Sequence, residues 1–361
     1  MEMITIRTRY YRIDPKVPNL THIQEAAEIL RKGGVVAFPT ETVYGLGADG
    51  LNPEAVAKIF KAKGRPADNP LIMHVAQQKE IDLLAREIPP LAERMMELFW
   101  PGPLTLILPK SRCVPDIVTA GLDTVAVRMP AHPIALAFLK AARVPVAAPS
   151  ANLSGRPSPT IGTHVLKDLA GKIDAVVDGG KTSVGLESTV LDLTSDPPVI
   201  LRPGGVTLEQ LQEVLGQVVL DPAIRGEYLI DGLVPRAPGM KYAHYAPRAK
   251  VFLVEGEPWQ VALKMKELVE QHKAEGKRVG IICTEEMLFL CREMVPQPDH
   301  YETLGPGEDL GEVASRLYSA LRNCDRYHLD VVFAQTFPEN GIGVAIMNRL
   351  RKAASHRVIK A

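Results

Sequence analysis

Lys63 and Arg65 stand one residue apart where a helix should end, and Pro66 and Pro70 stiffen the chain beyond them. Upstream, Pro39-Thr40-Glu41-Thr42-Val43-Tyr44-Gly45-Leu46-Gly47 is dense in hydroxyls and glycines. It reads as a loop that lets a ligand approach the backbone, because Gly has no Cβ to clash. Two cations beside such a loop make a pocket for a small polyanion. The helix dipole alone would account for basic residues at a helix end, but not for the glycine-hydroxyl segment. A second candidate element, Ala148-Pro149-Ser150-Ala151-Asn152-Leu153-Ser154-Gly155-Arg156-Pro157-Ser158, follows a buried strand, where α/β sheets place ligand groups. Its hydroxyls and amide suit phosphate oxygens or ribose, although the same residues also form ordinary turns. Arg128 and Arg202 each close a strand-like run. Arg128 offers a planar fork for a carboxylate, and taken singly each of the two is better read as a surface ion pair. His74, inside the apolar run Leu71 to Val75, reads as a satisfied core histidine, and Ser188 as a contact for a small group.

Three other patterns carry less. Gly180-Lys181-Thr182 imitates the end of a phosphate-binding P-loop, but the first glycine of that motif would fall on Ala175 and strand, not helix, should follow. Gly341-Ile342-Gly343 lacks the third glycine of a dinucleotide fingerprint and reads as close helix–strand packing. The nine histidines and four cysteines show no zinc-ligand spacing, so no protein-held metal is expected.

Positioning these residues requires an α/β scaffold. Apolar spacing predicts helices over Thr21 to Gly33, Asn52 to Ala62, Pro89 to Phe99, Ile134 to Ala142 and Leu208 to Leu215. Buried strands are expected at Val35–Phe38, Leu71–Val75, Leu104–Leu108, Thr124–Arg128, Val144–Ala148, Ala175–Val177, Thr189–Leu193 and Val199–Leu201. Strand and helix do not alternate cleanly, which predicts a mixed twisted sheet over residues 1–220. Residues 221–249, rich in Pro, Gly and Arg, read as a linker. From 250 to 361 alternation is regular: strands near Val251, Arg278 and Val331 and helices near Gln260, Glu285, Glu312 and Ile342 predict a smaller, mostly parallel, Rossmann-like α/β domain.

Composition excludes several classes. The 361 residues are 46% hydrophobic and 23% charged, with 42 basic against 42 acidic side chains. This balance argues against nucleic-acid binding by bulk charge. The basic tail, Arg349 to Lys360, reads as a solvated helix face. Four cysteines without a paired motif fit a reduced, cytoplasmic setting. The first fifteen residues lack the apolar core of a signal peptide, and no apolar run reaches the ~18 residues that a bilayer requires.

Taken together, the opening segment with its Lys63-x-Arg65, the Ser150-x-Asn152 segment and Pro238-Gly239-Met240-Lys241-Tyr242-Ala243-His244-Tyr245-Ala246-Pro247 resemble the YrdC-type threonylcarbamoyl-AMP synthases, in their long form with a linker and an extra C-terminal domain. The resemblance spans nearly the whole chain. It implies a nucleotidyltransferase that joins L-threonine, bicarbonate and ATP into L-threonylcarbamoyladenylate and pyrophosphate. Partner proteins then transfer the threonylcarbamoyl group to the adenosine beside the anticodon of tRNA.

By the family's pattern Lys63, Arg65 and Asn69 face the ATP phosphates, with Ser150 and Asn152 nearby, and Lys63 and Arg65 carry the catalysis. Thr124, Ala148, Ser158 and Arg202 complete the nucleotide site. Thr42, His74, Arg128 and Ser188 hold threonine. Tyr245, or else Tyr242, reaches over the nucleotide from the linker, which is expected to close as a lid. Mg2+ is expected to arrive with ATP, without a protein cage. The residues agree with this chemistry, which needs alignment and charge neutralisation and no covalent nucleophile. Two rivals are an RNA-binding module without catalysis and a carbamoyl transferase using carbamoyl phosphate. Pyrophosphate release that requires both threonine and bicarbonate separates the synthase from both.

Overall fold

The computed structural model describes residues 6–224, 235–238, 245–293 and 295–361. The chain divides into two compact units. The first is Met1–Ser154, Ser158–Ser183 and Glu187–Lys241; the second is Gly155–Pro157, Val184–Leu186 and Tyr242–Ala361. The linker stretch 221–249 is thus shared between them, and Gly239 to His244, including Tyr242, lies outside the described residues.

Among the described residues the first unit carries an eleven-stranded sheet. Its order is Arg9–Arg12, Ala175–Asp178, Val36–Phe38, Gly45–Asp49, Val146–Ala148, Ile72–His74, Thr124–Arg128, Leu104–Pro109, Thr189–Asp192, Val199–Arg202 and Val219–Leu220. Parallel and antiparallel pairings are interspersed, so the sheet is mixed, as the irregular order of elements predicts. One apolar cluster joins the helices Leu20–Arg31 and Pro133–Ala142 through Leu30, Phe38 and Phe138, whose last two rings lie 5.2 Å apart. Another gathers Val56, Ile59, Met95, Leu106 and Val127. The central strands are therefore buried from both sides and read as continuous apolar runs.

Local chemistry sets the helix that ends at the cationic pair. Asn52 accepts hydrogen bonds from the backbone N–H of Glu54 and Ala55, Pro53 opens the first turn, and Gly64 stops the helix at φ +60°. One sequence expectation fails nearby. Gly45 to Asp49 form a buried strand, not a ligand-accessible loop. A Cβ on Gly47 would lie 2.7 Å from Val146 and 3.0 Å from Phe38. This glycine makes room for neighbouring side chains, and the loop proper is confined to residues 39–44. The loop after Asp178 runs into no helix, so Gly180-Lys181-Thr182 has no P-loop context.

Among its described residues the second unit carries five strands, all parallel, in the order His300–Thr303, Val279–Cys283, Val331–Gln335, Lys250–Glu255, Val358–Lys360. The parallel α/β layering matches expectation. The fourth strand in sequence lies between the first and second, unlike the nucleotide-binding order in which strands one and two are neighbours. Helices Pro258–Ala274 and Glu285–Cys291 supply Met265, Val269 and Met287 to its core. Gly343 is required by a loop, because its Cβ would meet the Pro338 carbonyl at 2.0 Å. The basic tail is not a solvated face throughout. Arg349 is fully buried, with its guanidinium 5.7 Å from the Tyr245 ring centroid, and Arg351 pairs with Glu339. Among the described residues no helix is long and apolar enough to cross a membrane, and all four cysteines are free thiols.

Candidate active site

Parallel pairing of Ile72–His74 with Thr124–Arg128 puts His74 directly beside Arg128. Neither is on the surface; Arg128 is 4% exposed, which removes the surface ion-pair reading. Its Nε donates to the Gly102 carbonyl at 3.2 Å and its Nη1 to Thr42 Oγ1 at 2.9 Å. Its Nη2 lies 2.7 Å from Glu41 Oε1. The 39–44 loop that supplies Thr42 and Glu41 is fixed from within. Thr40 Oγ1 donates to the Val43 carbonyl and accepts from the Thr42 and Val43 N–H groups. Tyr44 anchors its far end, donating to Asp178 and the Gly180 carbonyl, and burial pushes its phenol pKa up.

His74 is held neutral. Burial first, then the Arg128 charge, pull its pKa down to about 3; Arg202 adds to the effect. Its Nδ1 lies 3.1 Å from the Ile72 carbonyl. A carbonyl only accepts, so the Nδ1–H tautomer fits this contact, and the Val146 backbone also hydrogen-bonds the ring.

Ser188 lies in a second hydrogen-bonded arm. Its Oγ pairs with Thr105 Oγ1 at 2.7 Å and accepts from Arg202 Nη2 at 3.0 Å, while Arg202 Nε donates to the Ser188 carbonyl. Arg202 Nη1 donates to the Pro238 carbonyl at 3.3 Å. Arg202, like Arg128, is buried rather than superficial. Gly204 allows the chain to fold back here, since its Cβ would lie 2.3 Å from the Glu187 carbonyl and from Thr189 N. Ser158, fully buried, donates to Glu187 Oε1 at 2.5 Å.

Lys63 is also buried, at 2% exposed, and its ammonium donates to the Ser150 and Asn152 carbonyls. The helix end alone does not account for it, because it reaches into another loop. That loop is tied in return. Ser154 N–H donates to the Lys63 carbonyl, Ala151 N–H to Tyr44 O, and Ser150 Oγ to Asn152 Oδ1. Arg65 donates to the Asn69 and Pro70 carbonyls, curling the Pro66–Pro70 turn around its guanidinium. Asn69 is buried, and among the described residues its Oδ1 has no hydrogen-bond partner.

The structure thus gathers Thr42, His74 and Arg128 in one place, links Ser188 to Arg202, and joins Lys63 to Ser150 and Asn152. Ala148 ends the strand paired with Ile72. Thr124 starts the strand that Arg128 ends, which puts the two roughly 13 Å apart at the usual rise per residue. Tyr245 belongs to the second unit, where its ring lies 5.2 Å from that of Tyr318 and its backbone takes a left-handed φ of +68°. Sequence reasoning passed over Glu41, Thr105 and Glu187. The available signal was the rarity of buried acids: two carboxylates stand among hydroxyls and glycines in apolar surroundings.

Two family models cover the chain in succession. Residues 28–204 match the model described as Telomere recombination, which groups Sua5, YciO and YrdC, and residues 206–355 match that of the threonylcarbamoyl-AMP synthase C-terminal domain. A threonylcarbamoyl-AMP synthase of Pyrococcus abyssi is 51% identical over 94% of this chain and 95% of its own length. The chain belongs to the threonylcarbamoyl-AMP synthase family. A Bacillus subtilis member is 48% identical over 95% of both chains. Among solved structures, the crystal structure of P. abyssi Sua5 complexed with L-threonine superposes with a TM-score of 0.92 at 49% identity, covering 98% of this chain and all of that one. The two-domain architecture of this family is therefore that of the chain described here.

Proposed function

We propose that this protein is an L-threonylcarbamoyladenylate synthase: a nucleotidyltransferase converting L-threonine, bicarbonate and ATP into L-threonylcarbamoyladenylate and pyrophosphate. The observation that carries the reading is the buried Arg128 fork, held beside Thr42 and a neutral His74 in a chain half identical to such synthases over nearly its whole length.

In this reading Arg128, Thr42, His74 and Ser188 hold threonine. A guanidinium suits the carboxylate. Lys63, Arg65, Asn69, Ser150 and Asn152 receive the triphosphate, with Thr124, Ala148, Ser158 and Arg202 serving the rest of the nucleotide. The amine captures bicarbonate as a carbamate with loss of water. A carbamate oxygen then attacks the α-phosphate and pyrophosphate leaves. Fixed cations neutralise the charge that moves onto the leaving group, and rigid placement aligns the attack.

Among the described residues no cluster of three or more His, Cys, Asp and Glu is placed to hold a metal. Mg2+ is expected to arrive with the triphosphate, where it would supply further charge neutralisation. The product passes to a complex that modifies tRNA. Four free thiols support a cytoplasmic setting. Mass spectrometry of the product made from labelled bicarbonate, L-threonine and ATP tests the reading. The label must appear in an adenylate whose formation stops when threonine or bicarbonate is withheld. Pyrophosphate release without threonine overturns it.

A further inference from the structure

We propose that Glu41 receives the α-ammonium of the amino-acid substrate, so that Arg128 and Glu41 together recognise a zwitterion. The proposal rests on the threonine reading of this site and adds a residue to it. Glu41 is 7% exposed, and its Oε1 lies 2.7 Å from Arg128 Nη2. The approach is close but off the hydrogen-bonding axis. Among the described residues neither carboxylate oxygen of Glu41 makes a hydrogen bond, and neither does Arg128 Nη2. Arg128 offsets the carboxylate charge across this ion pair, but buried lone pairs without a donor remain costly. The other two donor positions of Arg128 are spent on Gly102 and Thr42. Arg128 and Glu41 thus form a buried ion pair in which Nη2 and both carboxylate oxygens still lack a hydrogen bond. The ligand that completes both must accept from the guanidinium and donate to the carboxylate, and an α-amino acid carries those two groups on one carbon.

Among the described residues, several nearby groups are already committed. Thr40 Oγ1 is engaged with Val43 and Thr42, and Thr42 Oγ1 already accepts from Arg128. His132, which senses the Glu41 charge, has its pKa lowered by burial and stays neutral, so it gives Glu41 no second cation. The Glu187 carboxylate is bonded by Ser158.

Calorimetric titration of the full-length protein with L-threonine and with 2,3-dihydroxybutanoate, its analogue with hydroxyl in place of the amine, provides the test. ATP affinity and thermal unfolding serve as controls for the near-isosteric Glu41→Gln variant. Wild type should prefer threonine. Glu41→Gln should weaken threonine by about ten- to a hundredfold, the range of a charge-assisted hydrogen bond, and leave the analogue unchanged. Equal weakening of both ligands would show that Glu41 merely orients Arg128 and would overturn the proposal, as would an unchanged threonine affinity. Wild-type protein that binds both ligands equally overturns it without any variant. Wild type that binds no threonine instead removes the functional reading on which the proposal stands.

Discussion

Lys63 and Arg128 are both buried cations, and their surroundings differ in kind. Lys63 donates to two main-chain carbonyls, those of Ser150 and Asn152, and Arg65 to those of Asn69 and Pro70. Carbonyl dipoles orient a cation without cancelling its charge. Arg128 instead faces the Glu41 carboxylate across 2.7 Å, beside a histidine held neutral. The first arrangement ties cations to main-chain carbonyls, the second sets one against a carboxylate. Two substrates of different charge would call for that division, since a triphosphate is a polyanion while threonine is a zwitterion of no net charge. Burial amplifies the distinction, because the low local dielectric strengthens both matched and mismatched contacts.

The comparison breaks most directly at Arg65. Arg65→Ala should lower pyrophosphate release at saturating ATP by about two to three orders of magnitude, corresponding to ~2.7–4 kcal/mol of lost charge stabilisation in the transition state. Circular dichroism should be unchanged. Near-normal turnover would mean that this cation serves only the Pro66–Pro70 turn. On the other side, Arg128→Lys keeps the charge and loses the fork. Threonine affinity should fall by ~1.5–3 kcal/mol, the worth of a charge-assisted hydrogen bond, with ATP affinity nearly unaffected. Equal losses for the two substrates would erase the division between the halves.

Much of the scaffold was legible because its signals are local. Asn52-Pro53 and Gly64 delimit the helix carrying Lys63, and Thr124 to Arg128 is a strand over the whole expected range. The strand Gly45–Asp49 was hidden because Gly-Leu-Gly-Ala-Asp has no β-branched residue; Phe38 and Val146 packing against its glycines makes it a strand. The polar edge strand Arg9–Arg12 was hidden for the opposite reason, since only one of its four residues is buried. At the site, residue types identified Arg128 and Thr42 as candidates. Their contact spans 86 positions in sequence, and Glu41 entered only through the fold that brings those positions together. Register likewise decided His74. The parallel pairing that sets it beside Arg128 is not written in its own neighbours.

The neutral histidine gives a prediction of pH dependence. His74 has a folded pKa of about 3, below its ordinary value near 6.5. Between those values the unfolded chain binds the extra proton, so stability is full above pH 6.5 and is lost as pH falls toward 3. At pH 5 this residue alone should cost about 2 kcal/mol. Urea melts at pH 7 and pH 5 measure it, and His74→Gln should flatten the difference. A wild-type and variant pair that lose the same stability between those pH values would show that His74 is already protonated in the fold.

The smallest effect asks where the precision of the cationic half originates. Asn52 caps the start of the Pro53–Lys63 helix, three turns away from Lys63, and its side chain satisfies two backbone N–H groups. Asn52→Ala should cost about 1 kcal/mol of stability, the ordinary worth of an N-cap. Lys63 is fixed at its own end by the Ser150 and Asn152 carbonyls, and its backbone carbonyl by Ser154 N–H. Its position should therefore survive fraying of the first turn, leaving KM for ATP and kcat at wild-type values under conditions where the variant is folded. A denaturation midpoint shifted as expected, together with an altered KM for ATP, would show that the helix start and not the opposing loop sets the cation. The contrast between a cation held by the main chain of a distant loop and one set against a carboxylate would then need to be redrawn.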